Sequence, residues 1–160
     1  MIPFHWYREV DELLCCTFFG HHDCPASIKH KLRATLVNLI EKQGVDRFYV
    51  GRQGAFDAMV YSLLRELAET YPHIWYAAVL ERLPGQGVEA DHTLFPEGQE
   101  AVPPRWAIPR RNAWMLKQAD YVVVYIVHSW GGAARFATQA LRWKKEVINL
   151  AAFPMQQNNL

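Results

Sequence analysis

One stretch constrains the fold of this chain more than any other: Asp120 to Ala134, Asp-Tyr-Val-Val-Val-Tyr-Ile-Val-His-Ser-Trp-Gly-Gly-Ala-Ala. Past Asp120 the run is β-branched or aromatic and uncharged as far as Val127, the pattern of a strand buried on both faces in a parallel sheet. It runs through Ser129-Trp130-Gly131-Gly132 into a helical run of small residues, Ala133, Ala134, Ala137 and Ala140. A glycine pair between a buried strand and a helix lets backbone N–H groups approach a ligand, with partial positive charge at the helix start. On this stretch alone, a tight connection without a ligand explains the residues equally well.

The flanking sequence repeats the theme. Leu13–Phe19, Arg47–Val50, Ile74–Leu80 and Glu146–Leu150 are further short apolar runs, which with the 120s strand make about five strands. Between them lie helical periodicities: Ile28, Leu32, Leu36, Leu39 and Ile40 after a Ser27 cap and closed by Gly44; then Met59, Val60, Leu63, Leu64 and Leu67, closed by Pro72. A short helix over about Arg110–Gln118 leads into the central strand. Strand–helix alternation requires crossover connections, hence a mostly parallel sheet with helices on both faces. Residues 83–108 show no period and carry Pro84, Gly85, Gly87, Pro96, Gly98, Pro103 and Pro104. So long an insertion is expected to be a lid or binding loop, with a disordered excursion as the alternative.

With 160 residues the chain is long enough for one domain and a sizeable core. Its net charge of +1, from 17 basic and 16 acidic residues, argues against a general nucleic-acid binder. No apolar run approaches the roughly 20 residues of a membrane span, and the first residues lack the pattern of a signal peptide. Cys15, Cys16 and Cys24 have no framework spacing, which fits a reduced, cytoplasmic protein. Phe4, Trp6 and Tyr7 are expected to pack an entry segment, and residues 151–160 to form a frayed tail.

In parallel α/β sheets ligands bind beyond the carboxyl ends of the strands. That rule gathers Gly20-His21-His22-Asp23, Gly51-Arg52-Gln53-Gly54 and His128-Ser129-Trp130-Gly131-Gly132 at one edge. Three glycine-bearing loops there point to a small-molecule site.

At these loops the chain resembles the SLOG superfamily. The matching residues are Thr17-Phe18-Phe19-Gly20-His21, Gly51-x-x-Gly54-x-x-Asp57, Arg111-Asn112-x-x-Met115 and Ser129-Trp130-Gly131-Gly132-Ala133. This group includes the LOG phosphoribohydrolases and the Rossmann part of the DNA-processing protein DprA, and the chain is most similar to the YpsA-like branch of small bacterial proteins. The resemblance covers about residues 13–150. It implies a Rossmann-like three-layer sandwich that binds a nucleotide or nucleotide-derived ligand, and frequent self-association. LOG enzymes cleave N-glycosidic bonds of nucleoside monophosphates with an Arg-Lys-x-x-Met arginine and a Glu after a glycine-rich turn. Arg111 and Met115 match, with Asn112 in place of Lys. The Glu is missing, since Ala133, Ala134, Arg135, Phe136, Ala137 and Thr138 follow Gly132. His22 stands where the YpsA-like branch usually has Arg, replacing a fixed charge with a pH-dependent one.

Residue chemistry refines the candidates. Arg111 suits bidentate phosphate or carboxylate binding, against the simpler reading of a solvated charge on a short helix. His21 suits a ribose or phosphate contact or acid–base work, and a structural histidine equally. These two are the candidate catalytic residues. Asp57, in a first helical turn, is favourable there by dipole alone; the resemblance adds contact with a ribose hydroxyl or a bound water. Ser129 has no nucleophile elbow and reads as a phosphate donor. Trp130 stacks on a base or packs in the core. The ligand set is therefore Gly20, His21, His22, Gly51, Gly54, Asp57, Arg111, Asn112, Ser129, Trp130, Gly131 and Gly132. His21-His22-Asp23-Cys24 has metal-ligand types in contiguous positions that point apart, so no metal is expected, and no cofactor. Asp91, Glu97 and Glu100 are candidates for a replacement carboxylate. Trp106, Trp114 and Trp143 suggest a partner surface or core. The first functional reading is a nucleotide-ligand sensor; the second is a nucleotide or nucleoside-phosphate hydrolase. A third is a DprA-like nucleic-acid module, which the charge disfavours.

Overall fold

The computed structural model describes residues 13–85 and 92–155. In it the apolar runs become parallel strands. They are β1 (Leu14–Gly20), β2 (Val45–Val50), β3 (Trp75–Val79), β4 (Thr93–Leu94), β5 (Tyr121–Tyr125) and β6 (Glu146–Asn149). The order across the sheet is β4-β3-β2-β1-β5-β6, and every neighbouring pair is parallel. Among the described residues the sheet thus has six strands rather than about five. The additional strand is β4, inside the 83–108 insertion. It carries no periodic signal because the ladder holds it: Ala78 N–H donates to His92 O at 2.7 Å and Leu80 N–H to Leu94 O at 2.8 Å.

Four helices among the described residues cover the sheet: α1 (Lys29–Glu41), α2 (Gly54–Thr70), α3 (Ala107–Gln118) and α4 (Gly132–Arg142). Side chains alternate across a strand, so adjacent residues serve opposite layers. Phe18, Phe48 and Val123 face the α1/α2 layer with Leu32, Leu36, Leu63 and Leu64. Phe19, Tyr49, Val122 and Val124 face the α3/α4 layer with Met115 and Leu116. Each of these buried large side chains contributes roughly 1.5–3 kcal/mol relative to exposure. On α4 the buried face is Ala134, Ala137 and Ala140; methyl-sized contacts let the helix lie close to the sheet. This is the Rossmann-like three-layer arrangement.

Two helix starts differ from expectation. Ser27 does not cap α1; it lies inside a 3-10 turn, Ala26–Ile28, with no side-chain cap bond at either start among the described residues. The competing local turn absorbs the donors that a serine cap would serve. Helix α3 begins at Ala107, not Arg110, and carries Pro109 in its first turn, where its missing N–H has no helical partner to lose. In the insertion, Gln99 is buried and donates to Glu81 O at 3.0 Å and Ala107 O at 2.9 Å. Phe4, Trp6, Tyr7, Asp91 and the end of the tail lie outside the described residues.

The chain moves outward from β1 to β4, then returns to place β5 on the other side of β1. The β1/β5 junction is therefore the topological switch point, where the connections diverge and leave a crevice. Asn149 fixes the exit of β5. Its Oδ1 accepts from Ile126 N–H at 3.1 Å, and its Nδ2 donates to Ile126 O at 3.1 Å. No helix among the described residues is long and apolar enough to cross a membrane.

Candidate ligand site at the sheet switch point

A cavity of about 440 Å³ opens at this junction, within the size range of small-ligand sites. Its walls come from the turn after β1 (Gly20, His21, His22, Asp23), from Gln53 and Asp57 at the start of α2, and from Ile108, Arg111, Asn112 and Met115 on α3. The turn after β5 supplies Val127, His128, Trp130, Gly131 and Gly132. Gly131, at φ +97°, makes the left-handed step into α4. The amino end of α4 therefore opens onto the cavity, an arrangement that favours anions.

Arg111 lies at the cavity floor and is only 1% exposed. It shares a helix face with Met115, one turn on, which sends both inward. Its Nη1 donates to Val79 O at 2.8 Å and to Glu81 Oε2 at 3.4 Å, and its Nε donates to Asn112 Oδ1 at 2.8 Å. Burial pulls the guanidinium pKa below its ordinary value, while Glu81 and Asp57 hold it up; it stays cationic. Arg111 is thus an interior charge tied to the end of β3, not a solvated one. Its Nη2 faces the bare backbone of Gly51. A Cβ at that glycine would come within 3.2 Å of Nη2 and 2.9 Å of Asp57 Oδ2.

Asp57 is 7% exposed and accepts the Gln53 N–H at 2.8 Å. Burial pushes its carboxyl up from 3.8 to about 6, against the pull of that hydrogen bond, Arg111 and His22. A carboxyl poised there, beside a buried arginine in a cleft, is a candidate acid–base group. Gly54, at φ +80°, closes the same corner: a Cβ there would stand 2.7 Å from His22 Nδ1.

His21 extends the sheet by one bond, its N–H donating to Tyr125 O at 3.2 Å. Its ring lies face to face with His128, centroids 3.7 Å apart, and His128 stacks in turn on Trp130 at 3.6 Å. His21 Nε2 is buried with no hydrogen-bond partner among the described residues. Burial, and then the neighbouring His128, lowers the His21 pKa below 6.5.

Most of the residues picked from the sequence converge here: Gly20, His21, His22, Asp57, Arg111, Asn112, Trp130, Gly131 and Gly132 line the cavity. Gly51 and Gly54 stand behind that wall, packed against Asp57, Arg111 and His22. Ser129 does not join them. It lines a second cavity of about 420 Å³ with Ile126, Thr138, Phe153, Pro154 and Met155, because successive residues of the turn point to opposite sides. From the 83–108 insertion only Ile108 reaches the first cavity among the described residues, and Glu97 and Glu100 are exposed away from it. Trp106 and Trp143 are exposed, while Trp114 packs edge-on against Tyr49. Among the described residues no cluster of His, Cys, Asp or Glu is gathered to hold a metal.

Glu81 was not picked from the sequence, and Gln53 and His128 were placed at the sheet edge as parts of their loops without being singled out as ligand residues. Glu81 directly follows an apolar run and Gln53 lies two residues past the strand-end Gly51, so position at the carboxyl edge was the available signal. His128 directly follows an apolar run that continues to Val127, two residues beyond the end of β5 at Tyr125.

Fold and cavity together define a Rossmann-like α/β domain with a ligand-sized cleft at its switch point. No family model matches the chain, and no curated protein matches it. Among solved structures it is similar to the X-ray structure of DNA processing protein A (DprA) from Streptococcus pneumoniae. The TM-score is 0.62 at 14% identity, over 86% of this chain and 50% of that one. The chain therefore spans half the length of that neighbour and shares with it the DprA-type fold.

Proposed function

We propose that this chain binds a nucleotide or nucleotide-derived small ligand at the carboxyl edge of its sheet, as a sensing or binding domain. One observation carries the reading: the switch-point cavity joins the glycine-lined start of α4 to a buried arginine and carboxyl. An anionic group is suited to the helix start, and sugar hydroxyls to the polar floor. The YpsA-like placement and self-association belong to this proposal; sedimentation over a concentration series tests the latter.

The test is to incubate the protein with a pool of nucleotides, nucleoside monophosphates and ADP-ribose-like compounds, then analyse bound and free fractions by mass spectrometry. Gly132→Asp is the informative control. Among the described residues nothing lies within 4 Å of a Cβ at Gly132, and a carboxylate in a first turn favours the helix. The variant should fold and yet repel an anion at the start of α4. A compound retained intact by the wild type and lost by Gly132→Asp supports the sensor; retention by neither sinks it.

The second reading is a nucleotide or nucleoside-phosphate hydrolase. Asp57 favours it: a buried carboxyl titrating near 6 beside Arg111 is suited to the role of the missing post-glycine Glu. Release of a base or phosphate from the pool, abolished in Asp57→Asn, would establish this reading over the first. A nucleic-acid role, of the kind that the name DNA processing protein gives the fold neighbour, would require salt-steep binding of single-stranded DNA; the near-neutral charge weighs against it.

A further inference from the structure

The cavity mouth carries a column of three rings drawn from two distant segments. His21, at the end of β1, stacks on His128 with planes 20° apart, and His128 stacks on Trp130 with planes 12° apart. The foot of the column is wedged edge-on against Tyr125, at 6.4 Å. The turn itself sets the upper spacing, since His128 Nδ1 lies 2.9 Å from Trp130 O, an N–H donor to a carbonyl. The column is therefore built before any ligand arrives, which lowers the ordering cost of binding.

At its top the Trp130 indole uses one face on His128, yet the residue remains 71% exposed on the cavity rim. A single exposed aromatic is ordinary. An indole held parallel to a fixed stack, with its other face open beside a cleft, is a stacking platform. Every nucleobase offers a π face to such a surface, and the larger purine overlaps an indole more fully than a pyrimidine does.

Resting on the nucleotide-binding reading above, we propose that the His21–His128–Trp130 column is the base-recognition element of the site, with a purine ring lying on the open face of Trp130 as the fourth layer. His128 is then a positioning residue that acts through Trp130. The helix start and Arg111 side of the cavity are left for the sugar and its anionic group. Affinity for the base and affinity for the sugar phosphate thus reside in different parts of the site.

Titration calorimetry with AMP, CMP and ribose 5-phosphate tests this on the wild type, Trp130→Ala, Trp130→Phe and His128→Ala. The expected affinity order is AMP, then CMP, then ribose 5-phosphate. Trp130→Ala should weaken AMP by roughly 5- to 150-fold, the range that base–aromatic stacking supports, and leave ribose 5-phosphate unchanged. Trp130→Phe should keep most of the AMP affinity, and His128→Ala should lose an intermediate part. AMP should quench indole emission in the wild type and not in Trp130→Phe. Thermal melts check that substitutions at the exposed Trp130 and the half-buried His128 leave the fold intact. If AMP binds but ribose 5-phosphate binds as well, or Trp130→Ala leaves AMP unchanged, the platform is refuted while the cavity reading stands. If none of the three compounds binds, the nucleotide reading and the platform fall together.

Discussion

Asp57 sets a stability cost that can be measured without knowing the ligand. Burial raises its carboxyl from 3.8 to about 6, which corresponds to about 3 kcal/mol of differential interaction between its two protonation states. A folded pKa above the unfolded one means that the native state holds a proton the unfolded chain has already released. Stability therefore falls as pH rises from about 4 to about 6, and the loss is complete above that window. Asp57→Asn keeps an acceptor oxygen for the Gln53 N–H and removes the buried charge. At pH 7.5 the variant should be more stable by about 1–3 kcal/mol, the lower end allowing for the counter-charge that Arg111 loses. For a domain of this length that is a rise of roughly 2–12 °C in Tm. Urea melts of both proteins at pH 4.5 and 7.5 read the effect: the gap should be present at 7.5 and nearly closed at 4.5. A variant less stable than the wild type at pH 7.5, or a gap of equal size at both pH values, would refute the reasoning. Arg111 would then hold Asp57 as a favourable carboxylate, and a buried charge maintained at a cost, as functional sites often require, would no longer describe it.

Gly20→Ala should be among the most damaging small substitutions, because its Cβ would be driven into the Phe56 ring, itself fully buried. A loss of about 1–3 kcal/mol by urea melt is expected, and partial rescue by Phe56→Leu would identify the clash. Arg111→Met should cost about 3–5 kcal/mol, since Asp57 and Glu81 lose their buried partner. A change below about 1 kcal/mol would show the guanidinium to be held by water rather than by the Val79 carbonyl. The His21 imidazole should titrate below 6.5 by nitrogen-detected NMR, and His128→Ala should raise that midpoint. Because its folded pKa is depressed, the contribution of His21 is full above 6.5 and is lost as pH falls through the folded value, opposite in sign to Asp57. An unperturbed midpoint would mean that the imidazole is not buried against His128 in solution.

Much of the architecture was legible because its signals are local. Leu32, Leu36 and Leu39 recur at helical spacing, the run past Asp120 lacks any charge, and Gly44 and Gly131 sit where left-handed turns are needed. These fix element type and, through strand–helix alternation, the parallel sheet. Strand-end position then brought Gly20, His21 and Gly132 to one edge, and the SLOG resemblance, with residue chemistry, added Asp57 and Arg111. The two-residue β4 was not legible, since its stability comes from the ladder of β3. Nor was the 3-10 turn at Ser27, where two local hydrogen-bonding options of similar energy compete.

The sequence by itself therefore determined the class of fold and the edge of the sheet at which the candidate cavity opens, because periodicity and backbone chirality act over a few residues. Only the tertiary structure decided which groups meet there. It set β5 beside β1, bringing His128 onto His21, and drew Glu81 and Asp57 to Arg111. It also turned Ser129 away into a second cavity. Those pairings depend on burying two apolar faces at once, a free energy spread over the whole sheet and written in no single segment.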